Sequence, residues 1–252
     1  MQSRRLVSGL SLVAVICALS CSSNLTATQQ PNAAGDEPRI TSAPEQETED
    51  VKALVDRAES LLKGGSANIT TILTDPAYMR AHEYPRFRKL IRTYAFSNNA
   101  TIVTPQESGE PLKVSGTIRN SRGEPIRRAL IYVYHTSAKG WYSDKAPHIS
   151  GNAGDEKHAR LFGYLTTNQE GFYEFQTIRP VGYPNSTLPA HIHFEIETTG
   201  DQSRTFVSEI LFDGDPRLTS ETRERSLREG LVICPVTRGA DGVQHVQADF
   251  KI

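Results

Sequence analysis

Disulfide chemistry is almost excluded by composition. The 252-residue chain has three cysteines, and two of them, Cys17 and Cys21, fall in its first segment, which leaves Cys234 as the one thiol of the remainder. No framework of stapled loops can form from a single thiol, even in an exported chain where disulfides persist. Cys234 follows Val232 and Ile233 and reads as a small core hydrophobe. Tryptophan is nearly missing too, with Trp141 alone. There is no excess of positive charge: 28 basic against 29 acidic residues give a net charge of −1. No basic patch is visible, so a nucleic-acid interface is not expected. No internal repeat is present. No apolar run reaches the roughly 20 residues needed to span a bilayer as a helix.

The longest largely apolar run, Leu6 to Leu19, has 14 residues and follows Arg4 and Arg5. A charged start and a short apolar stretch read as an export signal. Ala18-Leu19-Ser20-Cys21 resembles the lipobox of bacterial lipoproteins, although a larger aliphatic residue is commoner at the place of Ala18. Residues 1–20 are therefore read as a signal peptide, with Cys21 as the mature, lipid-bearing N-terminus. That reading places the protein outside the cytoplasm, tethered to the bacterial cell envelope. A plain secretory signal, giving a secreted protein, and an uncleaved signal anchor are the alternatives. Residues 21–49 are rich in Thr, Gln, Pro, Ala and Glu and read as a flexible tether.

Residues 50–100 read as helical. Val51, Leu54, Val55, Ala58, Leu61 and Leu62 follow a helical spacing that Gly64 stops. A second helix is expected from Pro85, with Phe87, Leu90, Ile91, Tyr94 and Ala95 as its apolar stripe. Both helices have the same two candidate roles, packing on the domain or on a second subunit. From residue 101 to 252 the pattern changes to short strands: Leu112–Arg119, Ala129–His135, Leu161–Thr167, Phe172–Thr177, Ala190–Glu197, Thr205–Phe212 and Val243–Ile252. A late helix is expected over Ser220–Glu229. Strands without interleaved helices predict an all-β fold, a β-sandwich with N-terminal helices and one short late helix.

One strand carries chemistry. In Leu188-Pro-Ala-His191-Ile-His193-Phe-Glu-Ile, the alternate residues Ile192, Phe194 and Ile196 form an apolar face. His191 and His193 therefore share the opposite face, side by side, as two neutral nitrogen donors for a metal. Alone, such a pair more often consists of surface or core histidines than of metal ligands. Its company adds weight: Gly140-Trp-Tyr142-Ser-Asp144 follows the strand ending in His135, and Thr177-Ile-Arg-Pro180 leads through Gly182 to Tyr183. Pro189-Ala-His191-Ile-His193-Phe and Glu209-Ile-Leu-Phe212-Asp-Gly-Asp-Pro216 come next.

This ordered series resembles the intradiol ring-cleavage dioxygenases, the catechol and protocatechuate dioxygenases, from about Phe87 to Pro235. The resemblance implies one Fe(III) per chain, held by Tyr142, Tyr183, His191 and His193. Phenolates are hard anionic donors that a trivalent cation keeps deprotonated although a free tyrosine has a pKa of about 10. It further implies a small aromatic diol and O₂ as substrates. The diol binds as a dianion and displaces the axial tyrosine, Tyr183 by position, and ring opening gives a cis,cis-muconate. Members are often dimers through N-terminal helices, so a homodimer through Val51–Leu62 is one expectation.

Two departures stand out. The better-known members carry arginine three residues before the first histidine, where this chain has Leu188, and glutamine where it has Glu209. Losing a cation and gaining a carboxylate disfavours a carboxylated ring and lowers charge stabilisation at the reacting centre. Glu209 is read as a catalytic proton carrier or as a strand residue paired with arginine or solvent. Trp141 walls the substrate cavity or belongs to the core, and Leu188 is expected to line that cavity. Arg179 is a candidate to replace the missing arginine, while His148, His158, Asp213 and Asp215 read first as loop and turn residues. The alternative function is a non-catalytic exported β-sandwich binding module, since a sandwich fold alone implies no activity.

Overall fold

The computed structural model describes residues 48–142, 159–184, 186–198 and 204–252. The expected signal, Cys21, nearly all of the tether, His148 and His158 lie outside the described residues. Among the described residues, no helix is long and apolar enough to cross a membrane.

Helix α1 (Glu49–Lys63) begins at Thr48, whose hydroxyl accepts from the Val51 N–H, and ends at Gly64. Its buried side is Val51, Val55, Ala58 and Leu62, the stripe that the spacing defines. A short helix α2 (Ile69–Thr74) and a 3₁₀ turn (Pro76–Ala81), neither expected from the sequence, lead to α3 (Pro85–Thr93). Proline stands at the start of α3, where a missing N–H costs nothing. Ion pairs from Arg86 to Asp56 and Glu59 link α3 to α1. Both helices bury side chains in one hydrophobic core shared with the strands, the first of the two expected roles.

The strands are β1 (Asn99–Thr101), β2 (Pro111–Arg119), β3 (Leu130–His135), β4 (Leu161–Thr166), β5 (Phe172–Ile178), β6 (His191–Glu197) and β7 (Thr205–Phe212). Helix α4 (Ser220–Arg228) then precedes β8 (Val232–Cys234), β9 (Val236–Arg238), β10 (Gln244–Gln247) and β11 (Phe250–Lys251). They form two sheets. One has the order β1-β5-β2-β10-β9, with β11 also on β2, and the other β4-β3-β6-β7-β8. The all-β sandwich with N-terminal helices and a late helix is thus the observed class. The last expected strand, 243–252, is split into β10 and β11; between them the Ala248 carbonyl accepts from the Tyr173 hydroxyl at 2.6 Å and the Asp249 carboxylate, rather than backbone, accepts from the Thr117 N–H at 2.7 Å.

Inner faces meet through aromatic rings. Phe194 of β6 lies 5.9 Å from Tyr173, 6.0 Å from Phe175 and 5.0 Å from Phe250 of the other sheet. At one end His135 of β3 reaches across. Its Nδ1 donates to the Thr136 carbonyl at 2.8 Å, so its Nε2 accepts from the Thr177 hydroxyl at 2.6 Å.

The second sheet is covered on its outer face as well. Tyr132 and Tyr134 of β3 and Phe162 and Tyr164 of β4 point outward, yet all four are buried. Arg88 of α3 donates to the Tyr132 hydroxyl at 2.7 Å and stacks 4.2 Å above Phe162. His82 packs on Phe162 from the 3₁₀ turn. The rings of Tyr164, Tyr132 and Tyr134 follow one another at 4.5 and 5.1 Å. This aromatic row ends at His193, on the part of the outer face that carries the site.

Candidate metal centre

The register across β3, β6 and β7 places Tyr134 beside His193 and His193 beside Glu209. His193 and His191 share the outer face of β6, as the alternation requires. Tyr134 lies flat against the His193 ring, 4.4 Å away and 8° from parallel. The two imidazoles stand 4.7 Å apart and nearly perpendicular.

Two loops bring the tyrosines to this face. One continues β3 through Gly140-Trp141-Tyr142; the other runs from β5 through Val181-Gly182-Tyr183. They are stitched together by the Thr136 hydroxyl donating to the Val181 carbonyl at 2.7 Å and by the Val181 N–H donating to the Ser137 carbonyl at 3.4 Å. Gly140 has φ of +78°, and a side chain there would meet the Gly182 carbonyl oxygen at 2.7 Å. Glycine is therefore what lets the two loops pack backbone to backbone. The Tyr142 carbonyl accepts from the Arg160 N–H at 2.7 Å. Arg160 is itself fixed by a two-pronged ion pair to Glu107, at 2.6 and 2.9 Å.

Four polar atoms converge. The Tyr142 and Tyr183 hydroxyl oxygens are 2.6 Å apart. Tyr142 Oη is 2.7 Å from His193 Nε2, and Tyr183 Oη is 2.9 Å from His191 Nε2. The far nitrogens fix the tautomers. His191 Nδ1 lies 2.8 Å from the Pro189 carbonyl, which can only accept, and His193 Nδ1 lies 3.2 Å from Glu209 Oε1. Each Nδ1 thus carries a proton, and each ring turns its Nε2 to the centre. Tyr142, Tyr183 and His191 are buried.

The donor set fits a hard trivalent cation. Ligands bound at about 2.0–2.1 Å and at right angles lie roughly 2.9 Å from one another, close to the spacings seen. Two ionisable phenols supply the negative charge such an ion needs. His191, His193 and Glu209 also offer donor atoms within 4.8 Å of one another. Glu209, however, addresses the ring edge of His193 that faces away from Tyr142. A single ion cannot take both His193 Nε2 and a carboxylate occupied at Nδ1, so Glu209 stands behind the four-atom centre. Its carboxyl sits below the ordinary range: burial pushes it up, but the hydrogen bond from His193 and the proximity of both imidazoles outweigh burial.

Trp141 is half-buried beside Tyr142, and Leu188 is 44% exposed on the loop that joins Tyr183 to His191. Arg179 stacks 5.0 Å over Phe212 and contacts Gln244. Asp213 pairs with Arg223. Asp215 makes the turn it was expected to make, accepting from the Arg217 N–H at 2.8 Å, and also accepts from the Ala190 N–H at 3.3 Å. Arg217 escaped the sequence reading. Its guanidinium donates to the Tyr183 carbonyl at 2.9 Å and the Leu188 carbonyl at 3.4 Å, clamping the loop that carries Tyr183. An Asp-Pro-Arg turn signals a bend but not the loop on which its arginine lands.

The family model described as Dioxygenase matches residues 83–252, and the chain belongs to that family, the intradiol dioxygenases, whose members use non-haem iron. Among curated relatives, catechol 1,2-dioxygenase 1 of Acinetobacter lwoffii is 28% identical over 56% of this chain and 47% of its own length. Chlorocatechol 1,2-dioxygenase of Rhodococcus opacus is 33% identical over 58% of this chain and 60% of its own. The chain spans about half the length of the curated relatives it matches. The solved catechol 1,2-dioxygenase of Acinetobacter sp. ADP1 is 18% identical, covering 81% of this chain and 78% of its own, with a TM-score of 0.48.

Proposed function

We propose that this protein is a non-haem Fe(III) intradiol dioxygenase that opens catechol-type rings with O₂ to cis,cis-muconate-type products outside the cytoplasm. The observation that carries the reading is the convergence of two phenol oxygens and two imidazole Nε2 atoms within 2.6–2.9 Å of their neighbours. Tyr142, Tyr183, His191 and His193 hold the ion, one per chain. Bound there, Fe(III) supplies Lewis acidity that draws electron density from a catechol ring and opens it to O₂.

The chain's own groups do the rest. In its phenolate form Tyr183 Oη is the proton acceptor for one catechol hydroxyl; it stands 2.6 Å from Tyr142 Oη and 2.9 Å from His191 Nε2, at the centre where the diol would bind. Tyr142 stays in place, its backbone tied on both sides by Arg160 and by Trp141, whose carbonyl accepts from the Ser137 N–H. Leu188 and Trp141 offer apolar surface to the ring. With Leu188 in place of a cation and Glu209 behind His193, the pocket suits a diol without a carboxylate. The N-terminal sequence supports export and lipid attachment at Cys21, which mass spectrometry of the mature N-terminus would test.

The decisive experiment is the visible spectrum of the purified protein loaded with Fe(III), before and after anaerobic addition of catechol. A red charge-transfer band that shifts on addition is expected, and His193→Ala should lose both band and O₂ uptake. A protein that stays colourless after loading, or an active and coloured His193→Ala variant, would sink the assignment and favour the binding module.

A further inference from the structure

Glu209 is a half-buried carboxylate whose partner among the described residues is neither lysine nor arginine but the Nδ1 edge of His193. Burying a carboxylate without a cation is costly. With 31% of the side chain exposed, water meets part of that cost and the imidazole meets the rest: the Nδ1–H donates to Glu209, and the other ring edge faces the four-atom centre. The His191 side offers a built-in contrast, because its Nδ1–H goes to the neutral carbonyl of Pro189. The two histidines, two residues apart on β6, are therefore electronically unlike. Register makes the arrangement rigid. His193 is flanked in its strand row by Tyr134, which lies flat on the ring, and by Glu209, which holds its edge.

We infer that Glu209 is a positioning residue that acts through His193 and biases the centre toward the ferric ion. A carboxylate hydrogen-bonded to a ligating imidazole fixes its orientation and makes it a more electron-rich donor. The added negative charge stabilises a trivalent ion more than a divalent one. This rests on the proposed iron site. It assigns Glu209 no contact with substrate, so it differs from the role of proton carrier.

The test compares the Fe(III)-loaded full chain with its Glu209→Gln variant, which keeps the shape and an acceptor oxygen but removes the charge. Removal of a partner of this kind costs 10- to 100-fold in metal affinity, and the loss should fall mainly on Fe(III). A tenfold loss confined to Fe(III) equals a rise of 59 mV in reduction potential, read by spectroelectrochemistry alongside Fe(III) retention against a chelator. Glu209→Asp, which keeps the charge, should restore most of the potential. A coloured wild type whose potential and retention are unchanged in Glu209→Gln overturns the inference while leaving the iron site standing. A colourless wild type overturns the site itself. A second measurement needs no variant. In wild type loaded with Ga(III), a diamagnetic trivalent ion, the His193 Nδ1 proton should resonate well downfield of the His191 Nδ1 proton. Equal positions would overturn the inference.

Discussion

Replacing Gly140 with alanine should separate the two tyrosine loops. The residue has φ of +78°, where an L side chain costs roughly 1–2 kcal/mol. The new Cβ would also lie 2.7 Å from the Gly182 carbonyl oxygen and 3.1 Å from Pro184 Cδ. Forcing a methyl into such a space costs about 1–3 kcal/mol, and the total is about 2–5 kcal/mol. That is a large part of the roughly 5–15 kcal/mol that holds a domain together. The strain is relieved only if the 182–184 backbone moves away, which carries Tyr183 from Tyr142. Gly123→Ala is the matched control, since Gly123 has φ of +83° with nothing near its would-be Cβ. Urea denaturation should show Gly140→Ala less stable than Gly123→Ala by the clash alone, and iron per chain should fall only in Gly140→Ala. Equal midpoints and equal iron content would refute the claim that this glycine sets the tyrosine pair.

Three further outcomes are expected. His82 and His135 are fully buried, and burial lowers each to about 4 from an ordinary 6.5. The unfolded chain therefore binds more protons between those values, so stability is present above about pH 6.5 and is lost as pH falls toward 4, by about 3 kcal/mol per histidine. Urea midpoints that stay flat from pH 7 to 4.5 would contradict this. Glu107→Leu removes the two-pronged carboxylate from the Arg160 guanidinium, which is only 9% exposed, and should cost about 1.5–3 kcal/mol. Because the Arg160 N–H holds the Tyr142 carbonyl, iron retention should fall with it, measured by chelator challenge. Arg217→Met removes a charged donor from the Tyr183 carbonyl, worth about 1.5–3 kcal/mol. It should speed iron loss while leaving the Tyr142 side of the site unaltered, read from the charge-transfer band.

Much of the fold was legible because period and punctuation agreed. Strand β2 alternates strictly in burial, and β6 does so outside its histidines, which is why its two imidazoles could be assigned to one face from spacing alone. The two long N-terminal helices were readable from a stripe with a glycine stop and a proline start. Helix α2 was hidden because its six residues, Ile-Thr-Thr-Ile-Leu-Thr, are β-branched apart from one leucine and span less than two turns. The outward role of Tyr132 and Tyr134 was also hidden. Strand β3 is buried on both faces, so its pattern is a continuous run. The four convergent side chains were found through motifs. Their supports were not, because Arg160, Glu107 and Arg217 act by tertiary contact and leave no local pattern.

The helices and the sandwich are one physical unit in their effect on the site. The outer face of the second sheet bears the histidines, and an outer face that were merely solvated would leave Tyr132, Tyr134, Phe162 and Tyr164 wet. Instead α3 and the 3₁₀ turn seal it, through Arg88 on Tyr132 and Phe162 and through His82 on Phe162. The same His82 takes the Arg160 carbonyl at Nδ1, at 3.0 Å, while the Arg160 N–H holds Tyr142. A continuous path of contacts thus joins the helical cover to a ligand-bearing loop, and the aromatic row joins it to His193. The packing that buries the outer face is also what fixes two of the four side chains, so a change that loosens the helices should weaken metal retention before it unfolds the strands.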